Sequence, residues 1–269
     1  MTDLAPPALI RLDEQGGGVA LLTLSDPDRR NAMTAEMGAV LSGTLAELGA
    51  RPDVRVVVLT GAGPAFSGGG DLGMLADKVA RAKAGQDQTA SMRRFYEAFL
   101  TVAEAPFPVL AAVNGHAVGA GACVAMACDL AIVSATAKIG FNFTKLGIHP
   151  GMGGSWTLPR LVGPQRAAEL LYTGRLVTGE QAAAYGMALE AVPAAEVLPR
   201  TLALAAEIAA GAPQPLRQLK RSLAGSATRT LVEQLEVEAS AQAENYRSED
   251  VEEGLRAARE RRAPVFRGR

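Results

Sequence analysis

The chain has 269 residues, of which 48% are hydrophobic and 20% are charged, and it carries a formal net charge of −1. That length allows one large domain with an ample buried core. The near-neutral balance, without a long block of like charges, argues against a nucleic-acid-binding protein, because a phosphate backbone demands a basic excess.

The first residues and the lack of long apolar runs indicate where the protein resides. The segment Met1–Pro7 is acidic and contains proline, which is not the pattern of a signal peptide. No uninterrupted apolar run approaches the ~20 residues that a membrane span needs. We therefore expect a soluble cytoplasmic protein that does not bind a membrane.

Strand and helix patterns alternate over the first part of the chain. Residues 9–12 and 19–24 predict a hairpin around a glycine turn, and residues 54–59 are apolar on both faces, as in a buried strand. Thr34 is a predicted N-cap, because apolar residues follow it at helical spacing. The face of this helix expected in the core comprises Met37, Val40, Leu41, Leu45 and Leu48.

Three consecutive glycines, Gly68 to Gly70, follow the buried strand and predict a binding loop. Glycine has no Cβ and accepts positive φ, so such a run can present bare N–H groups to a ligand. The ligand would be an anion, either a phosphate or an oxyanion formed during a reaction. A nucleotide phosphate site is disfavoured, because no Gly-Lys-Ser/Thr sequence follows.

Residues 75–88 are polar and small and are expected to be mobile, whereas the apolar stripe at 92–100 predicts a helix.

A second candidate loop lies at residues 114–122, after a predicted buried strand at 108–113. Small residues from Gly119 to Ala122 would begin a helix with free N–H groups at its positive end. If the two loops meet, two N–H donors converge on one oxygen, which outlines an oxyanion hole. Cys123 and Cys128 follow in an apolar segment without metal or redox spacing, so we expect small core residues and no metal site.

The second half of the chain begins with strands and ends with helices only. Residues 130–133 and 139–143 predict strands, 164–172 predicts a helix, and Thr178–Gln181 matches a capping box. A last short strand is predicted at 189–192. The helices that follow are predicted at about 198–210, 216–223 and 231–246, with a final one from residue 248.

Taken together, these segments resemble the crotonase superfamily, the enoyl-CoA hydratases and isomerases. The resemblance extends from about residue 10 to the end of the chain, with the motifs in the family's order. It is carried by Asp26–Met33, Ala65–Leu72, Ala112–Asp129, Leu146–Gly154 and Ser248–Gly254. The family's fold implies an α/β architecture, a spiral of ββα units followed by a helical C-terminal region.

The resemblance also implies a division of the chain and an assembly. Residues 1–195 would form the core with the acyl-CoA site, and residues 196–269 would build a homotrimer or a dimer of trimers and complete the CoA site. Arg262, Phe266 and Arg267 resemble the family's closing motif, which would approach CoA from a neighbouring subunit. The substrate would be an acyl-CoA of fatty acid or related metabolism, so coenzyme A belongs to the substrate and no separate cofactor is expected.

By the same resemblance, the oxyanion-hole donors would be the backbone N–H groups of Gly68 and Ala120. The adenine would lie against residues 65–68. Arg29 or Arg30 would contact a phosphate or the pantetheine arm, or else form surface salt bridges. The residues expected to contact the substrate are Arg29, Ala32, Ala65, Phe66, Ser67, Gly69, Asp71, Leu72, Gly119, Cys123, Phe143 and Gly151.

The chain departs from the hydratases at the residues that activate water. A hydratase of this family uses two glutamates, and the motifs align Cys123 and Phe143 with them. Gly151 stands where some isomerase and dehalogenase relatives carry an aspartate. No acidic residue occurs between Asp129 and Glu169. Ordinary hydration by two glutamates is therefore not expected.

Several residues could replace the missing acids. His149 is the leading candidate for a general base, because imidazole ordinarily titrates near neutral pH; a structural loop histidine is the alternative. Asp71 is expected to brace its loop or cap the next helix. The apolar neighbours of Cys123 argue against a nucleophile. The remaining candidates are His116, Asp77, Tyr96 and Glu97.

We therefore predict an enzyme that stabilises a thioester enolate in an oxyanion hole, either a double-bond isomerase or an atypical hydratase. The alternative is a non-catalytic acyl-CoA-binding member of the family that keeps the pocket without the acids. Phe143 and Trp156 would line an apolar acyl pocket or belong to the core. Turnover of crotonyl-CoA or a 3-enoyl-CoA would distinguish an enzyme from a binder.

Overall fold

The computed structural model describes residues 8–269, so the prediction made for Met1–Pro7 lies outside the described residues. The strands are β1 (Ile10–Gly16), β2 (Val19–Leu24), β3 (Val56–Gly61), β4 (Ala65–Ser67), β5 (Val109–Val113), β6 (His116–Val118), β7 (Leu130–Ser134), β8 (Lys138–Gly140), β9 (Leu176–Thr178) and β10 (Glu190–Val192). The helices are α1 (Ala35–Ala50), α2 (Leu72–Lys83), α3 (Thr89–Glu104), α4 (Ala120–Ala127), α5 (Gly154–Val162), α6 (Pro164–Thr173), α7 (Gly179–Ala184), α8 (Ala194–Ala209), α9 (Pro213–Ser226), α10 (Leu231–Asn245) and α11 (Glu249–Glu260).

The strands form two sheets, and from β3 onward the chain passes repeatedly between them. The larger sheet has the order β1-β2-β3-β5-β7-β10, and the smaller has the order β4-β6-β8-β9. Each of β3, β5 and β7 in the larger sheet is followed directly by a strand of the smaller one. Helices lead back to the larger sheet after β4 and β6, whereas after β8 the chain first adds β9 to the smaller sheet. The predicted α/β spiral of ββα units with a helical C-terminal region is thereby confirmed.

Both faces of the larger sheet are buried. On one face, Val197 of α8 shares a core cluster with Val58 of β3. On the other face, Leu59 of the same strand belongs to the cluster that contains Leu41 of α1 and Phe99 of α3. Side chains of a strand alternate between faces, so burial on both sides requires a continuous apolar run.

Successive turns of the spiral touch at glycine corners. A Cβ built on Gly115, between β5 and β6, would lie 2.1 Å from the carbonyl oxygen of Pro64 in the preceding turn. A Cβ on Gly179 would lie 2.0 Å from the carbonyl oxygen of Ser134. Backbone meets backbone at both points, so only glycine fits without a shift of the chain.

Several local predictions are corrected by the structure. Residues 75–88, for which the sequence predicted no helix, contain most of α2. The strand predicted at 139–143 ends at Gly140, and a 3₁₀ helix follows over Asn142–Leu146. Val40 was expected in the core and is 40% exposed. Helix α5 was not predicted from the sequence. No helix within residues 8–269 has both the length and the apolar character needed to cross a bilayer.

Candidate active site

A cavity of about 320 Å³ opens between the glycine loop, α3, the start of α4 and residues 142–152. The structure brings the two predicted loops together here, since Gly68 to Gly70 and Gly119 with Ala120 all line this cavity. The rest of the wall is mostly apolar. Its apolar residues include Leu72, Met74, Met92, Phe95, Phe143 and Met152.

The amide of Gly68 is not free to bind a ligand, which corrects the expectation that it is an oxyanion donor. Its N–H donates to the carbonyl oxygen of Arg30 at 2.8 Å. Gly70, two residues later, also lines the cavity, and its N–H finds no acceptor within residues 8–269. Met33 N donates to Gly69 O at 2.8 Å. Because a trans peptide directs its N–H opposite to its C=O, the Gly70 N–H points away from Met33.

The second amide belongs to Ala120, the first residue of α4. Gly119 precedes it with φ of 56°. The first N–H groups of a helix have no intrahelical acceptor, and no other acceptor reaches the Ala120 N–H in the described part of the chain. A Cβ built on Gly69 would lie 3.5 Å from Ala120 N and 2.6 Å from Val118 O. The two loops therefore touch, and the free amides of Gly70 and Ala120 lie at the same end of the cavity.

Two buried polar side chains hold the glycine loop. Asn31 Nδ2 donates to the main-chain oxygens of Ala65 at 2.8 Å and Phe66 at 3.2 Å. Ser67 Oγ donates to Asn31 O at 2.8 Å and accepts from Gly69 N at 3.1 Å. The Ser67 hydroxyl is thus committed to the protein, and Ser67 positions the loop instead of contacting the substrate as expected.

Among residues 8–269, the titratable side chains in the cavity wall are those of His149 and Tyr96, and none of the lining residues is acidic. His149 Nδ1 lies 2.7 Å from Pro150 O. In the tautomer that donates this hydrogen bond, Nε2 is an acceptor. Burial, with a smaller contribution from Cys123, raises the pKa of Tyr96. The phenol therefore stays protonated at neutral pH.

The carboxylates considered from the sequence lie outside the cavity wall. Asp71 Oδ1 accepts from Met74 N at 2.8 Å, which caps α2, and its Oδ2 lies 3.4 Å from Arg29. Asp77 and Glu97 form surface ion pairs with arginines of their own helices, at 2.8 Å and 2.6 Å respectively. Asp71 thus has the bracing role that the sequence suggested.

The other candidates from the sequence divide between core, surface and cavity. Cys123 is buried and donates to Gly151 O at 3.5 Å, and burial raises the pKa of its thiol to about 12. An inert thiol follows, as its apolar neighbours predicted. His116 is exposed in β6 and accepts from a main-chain N–H at 3.0 Å. Phe143 lines the cavity, whereas Trp156 is exposed, with an arginine 3.8 Å above its ring.

The residues expected to contact CoA are only partly gathered at the cavity. Those in its wall are Gly69, Leu72, Gly119 and Phe143. Those outside its wall are Arg29, Ala32, Ala65, Phe66, Ser67, Asp71, Cys123 and Gly151.

Two of the residues proposed for CoA contact are engaged elsewhere. Arg29 pairs with Asp26 at 2.6 Å, in the kind of surface salt bridge that was kept as its alternative role. Arg262 of the closing motif binds Glu253 at 2.6 Å within the same chain.

Comparison with known proteins gives consistent matches. The chain matches the family model described as enoyl-CoA hydratase/isomerase over residues 14–269. A Rhodobacter capsulatus protein named probable enoyl-CoA hydratase is 38% identical over 253 residues, which are 94% of this chain and 95% of that protein. The 1,2-epoxyphenylacetyl-CoA isomerase of Escherichia coli is 36% identical over 254 residues, 94% and 96% of the two chains. The crystal structure of an enoyl-CoA hydratase from Bacillus anthracis superposes with a TM-score of 0.87 at 32% identity, covering 97% of this chain and 100% of that one.

Proposed function

Because this chain belongs to the enoyl-CoA hydratase/isomerase family, we propose that it moves a double bond within an acyl-CoA thioester, with an atypical hydration as the second candidate reaction. The observation that carries this proposal is a pair of free amides, of Gly70 and Ala120, at one end of an apolar cavity to whose wall residues 8–269 contribute no carboxylate.

The two amides would bind the thioester oxygen. Removal of a proton from Cα places negative charge on that oxygen, and fixed N–H donors stabilise this charge without reorganisation. One such donor is typically worth about 10²–10³ in rate. The donor at the glycine loop is Gly70 in this proposal, because the Gly68 N–H is already paired with Arg30 O.

The acid/base groups favour isomerisation over ordinary hydration. Hydration by this family's glutamates needs two carboxylates to hold and activate water, and the described part of the chain places none in the cavity wall. Isomerisation requires only that a proton leave Cα and that a proton return at Cγ. His149 Nε2 is the acceptor in the wall that could take the Cα proton, since Nδ1 is occupied by Pro150 O.

The remaining parts of the proposal concern coenzyme A and assembly. Arg30 lies beside the glycine loop, since a Cβ built on Gly68 would be 3.5 Å from its Cβ, and it would attract the phosphates of CoA. Arg29 would contribute only by leaving its salt bridge with Asp26. Exposed apolar side chains on α9 and α10 support an interface built by residues 196–269, as in a homotrimer or a dimer of trimers in the cytoplasm. They include Leu223 (64% exposed), Leu231 (74%), Val232 (77%) and Leu235 (54%).

Kinetics with straight-chain 3-enoyl-CoA and 2-enoyl-CoA esters tests the proposal. We expect conversion of 3-enoyl to 2-enoyl esters, followed by the absorbance of the conjugated thioester. The substitution His149→Gln should lower kcat by roughly 10²–10⁴. The substitution His116→Gln is the matched control, because His116 is an exposed histidine outside the cavity, and it should leave kcat unchanged.

Other outcomes separate the alternatives. A 3-hydroxyacyl product from 2-enoyl-CoA would support atypical hydration instead. Tight binding of several acyl-CoA esters without turnover of any would support the non-catalytic acyl-CoA binder, which the lack of carboxylates in the wall also favours.

A further inference from the structure

Tyr96 carries a hydroxyl that no group within the described part of the chain engages. Its side chain projects from α3 into the cavity wall, and its Oη makes no hydrogen bond within residues 8–269. Buried or partly buried hydroxyls usually have a partner. An unpaired hydroxyl in a cavity wall of mostly apolar residues is therefore available to a ligand.

The surroundings of Tyr96 fix the position of that hydroxyl. A Cβ built on Gly151 would lie 2.6 Å from Tyr96 Oη and 2.8 Å from its Cζ. The phenol thus occupies the space that a side chain at residue 151 would need, and glycine at this place is what admits it. The neighbouring Phe95 ring packs edge-on against the phenol, at 6.3 Å between ring centroids.

Resting on the proposed isomerisation, we propose that Tyr96 is a further catalytic residue, the donor that delivers the proton to Cγ of the acyl group. Tyr96 lies on α3 and His149 lies on the segment before α5, so the two groups reach the substrate from different elements of the same cavity. Its hydroxyl remains protonated at neutral pH, because burial disfavours the phenolate.

The proton balance closes without a further reactant. His149 takes the Cα proton as the C–H electron pair enters the dienolate, whose charge rests on the thioester oxygen. The Tyr96 O–H bond then breaks while a C–H bond forms at Cγ, and the double bond lies between Cα and Cβ. The phenolate recovers a proton from the His149 imidazolium, directly or through water, so both groups return to their starting states.

Parallel measurement of two rates in D₂O tests the assignment. The first is exchange of the Cα proton of a 3-enoyl-CoA, and the second is conversion to the 2-enoyl-CoA. In Tyr96→Phe we expect conversion to fall by roughly 10²-fold, while exchange stays within about threefold of the wild type and KM changes little. Tyr172→Phe is the matched control, because Tyr172 is 81% exposed, and both rates should be unchanged. In His149→Gln both rates should fall together.

The outcomes distinguish this inference from the function on which it depends. A wild type that converts 3-enoyl-CoA while Tyr96→Phe converts it equally well overturns the role of Tyr96 alone. Equal losses of exchange and conversion in Tyr96→Phe also overturn it, because a donor acts after the Cα proton has left. A wild type that converts no 3-enoyl-CoA overturns the proposed isomerisation, and the assignment of Tyr96 falls with it.

Discussion

Replacement of Asn31 tests whether one buried amide fixes the glycine loop. Asn31 is fully buried and has a positive φ of 52°. Its Nδ2 lies within 2.8–3.2 Å of three carbonyl oxygens, but two hydrogens allow only two full hydrogen bonds. Its Oδ1 accepts from Asp26 N at 2.9 Å. Asn31→Ala would therefore leave two carbonyl groups and one N–H without partners.

The expected loss of stability follows from the number of unpaired polar groups and from the backbone conformation. An unsatisfied buried polar group costs about 1–3 kcal/mol, and alanine in the left-handed region costs about 1–2 kcal/mol more. At the lower end of these ranges, Asn31→Ala should lower the free energy of unfolding by about 4 kcal/mol. That is a large share of the roughly 5–15 kcal/mol that stabilises a typical protein.

Asn31→Asp adds a pH dependence with a definite sign. Aspartate has nearly the same side-chain shape as asparagine and tolerates the positive φ at this position. The substitution nevertheless places a carboxyl group against carbonyl oxygens. Its pKa would be raised in the folded state, so the folded state binds more protons than the unfolded one above pH ~4. The free energy of unfolding must then fall as pH rises. Protonation at low pH would restore one donor.

Urea denaturation at pH 5 and pH 8 measures both effects. The control is Asn245, whose Nδ2 donates to the Gln218 side chain at 2.7 Å, and Asn245→Ala should cost about 1 kcal/mol or less. The reasoning is refuted if Asn31→Ala costs less than about 1 kcal/mol, or if Asn31→Asp is as stable relative to the wild type at pH 8 as at pH 5.

Three other changes test the packing and the charges. Lys220→Met should lower the free energy of unfolding by about 3–5 kcal/mol, because Lys220 Nζ joins Asp129 at 2.8 Å and two main-chain oxygens in a buried site; an equally stable variant in urea would contradict this. The thiol of Cys123, with its pKa raised to about 12 by burial, should resist iodoacetamide at pH 8 and react only in urea; rapid labelling of the folded protein would contradict its burial. Hydrogen bonds from Arg262 hold the pKa of Glu253 well below its usual value. The ionised Glu253 carboxylate therefore stabilises the folded state above pH ~4.3, and this stabilisation is lost as pH falls. In Glu253→Gln, the free energy of unfolding should therefore fall less steeply as pH is lowered than in the wild type. An unchanged acid dependence would contradict this.

Local signals in the sequence predicted local structure well. Thr34 caps α1 by accepting from Met37 N at 3.1 Å, and Thr178 caps α7 by accepting from Gln181 N at 3.2 Å. Both caps involve residues three positions apart, so the sequence contains all the partners. The continuous apolar run of β3 likewise predicted a strand buried on both faces.

Long-range contacts decided the features that sequence reasoning missed. Whether Gly68 or Gly70 has the free amide depends on which carbonyl oxygen lies opposite, and Arg30 O is 38 residues away in sequence. Three-residue strands such as β4 and β6 exist only because neighbouring turns pair with them. The tolerance of asparagine for positive φ was the one signal for Asn31, and it does not identify the carbonyl groups that the amide binds.

The glycine corners have a consequence for enlarging this protein. The distance between one turn and the next is set by main chain against main chain at Gly115 and Gly179, with no compressible side chain between them. A designer who inserts an extra turn into the spiral must therefore reproduce a residue without a side chain at each new joint. Repacking the interior cannot replace that requirement, because the joint contains nothing that can be repacked.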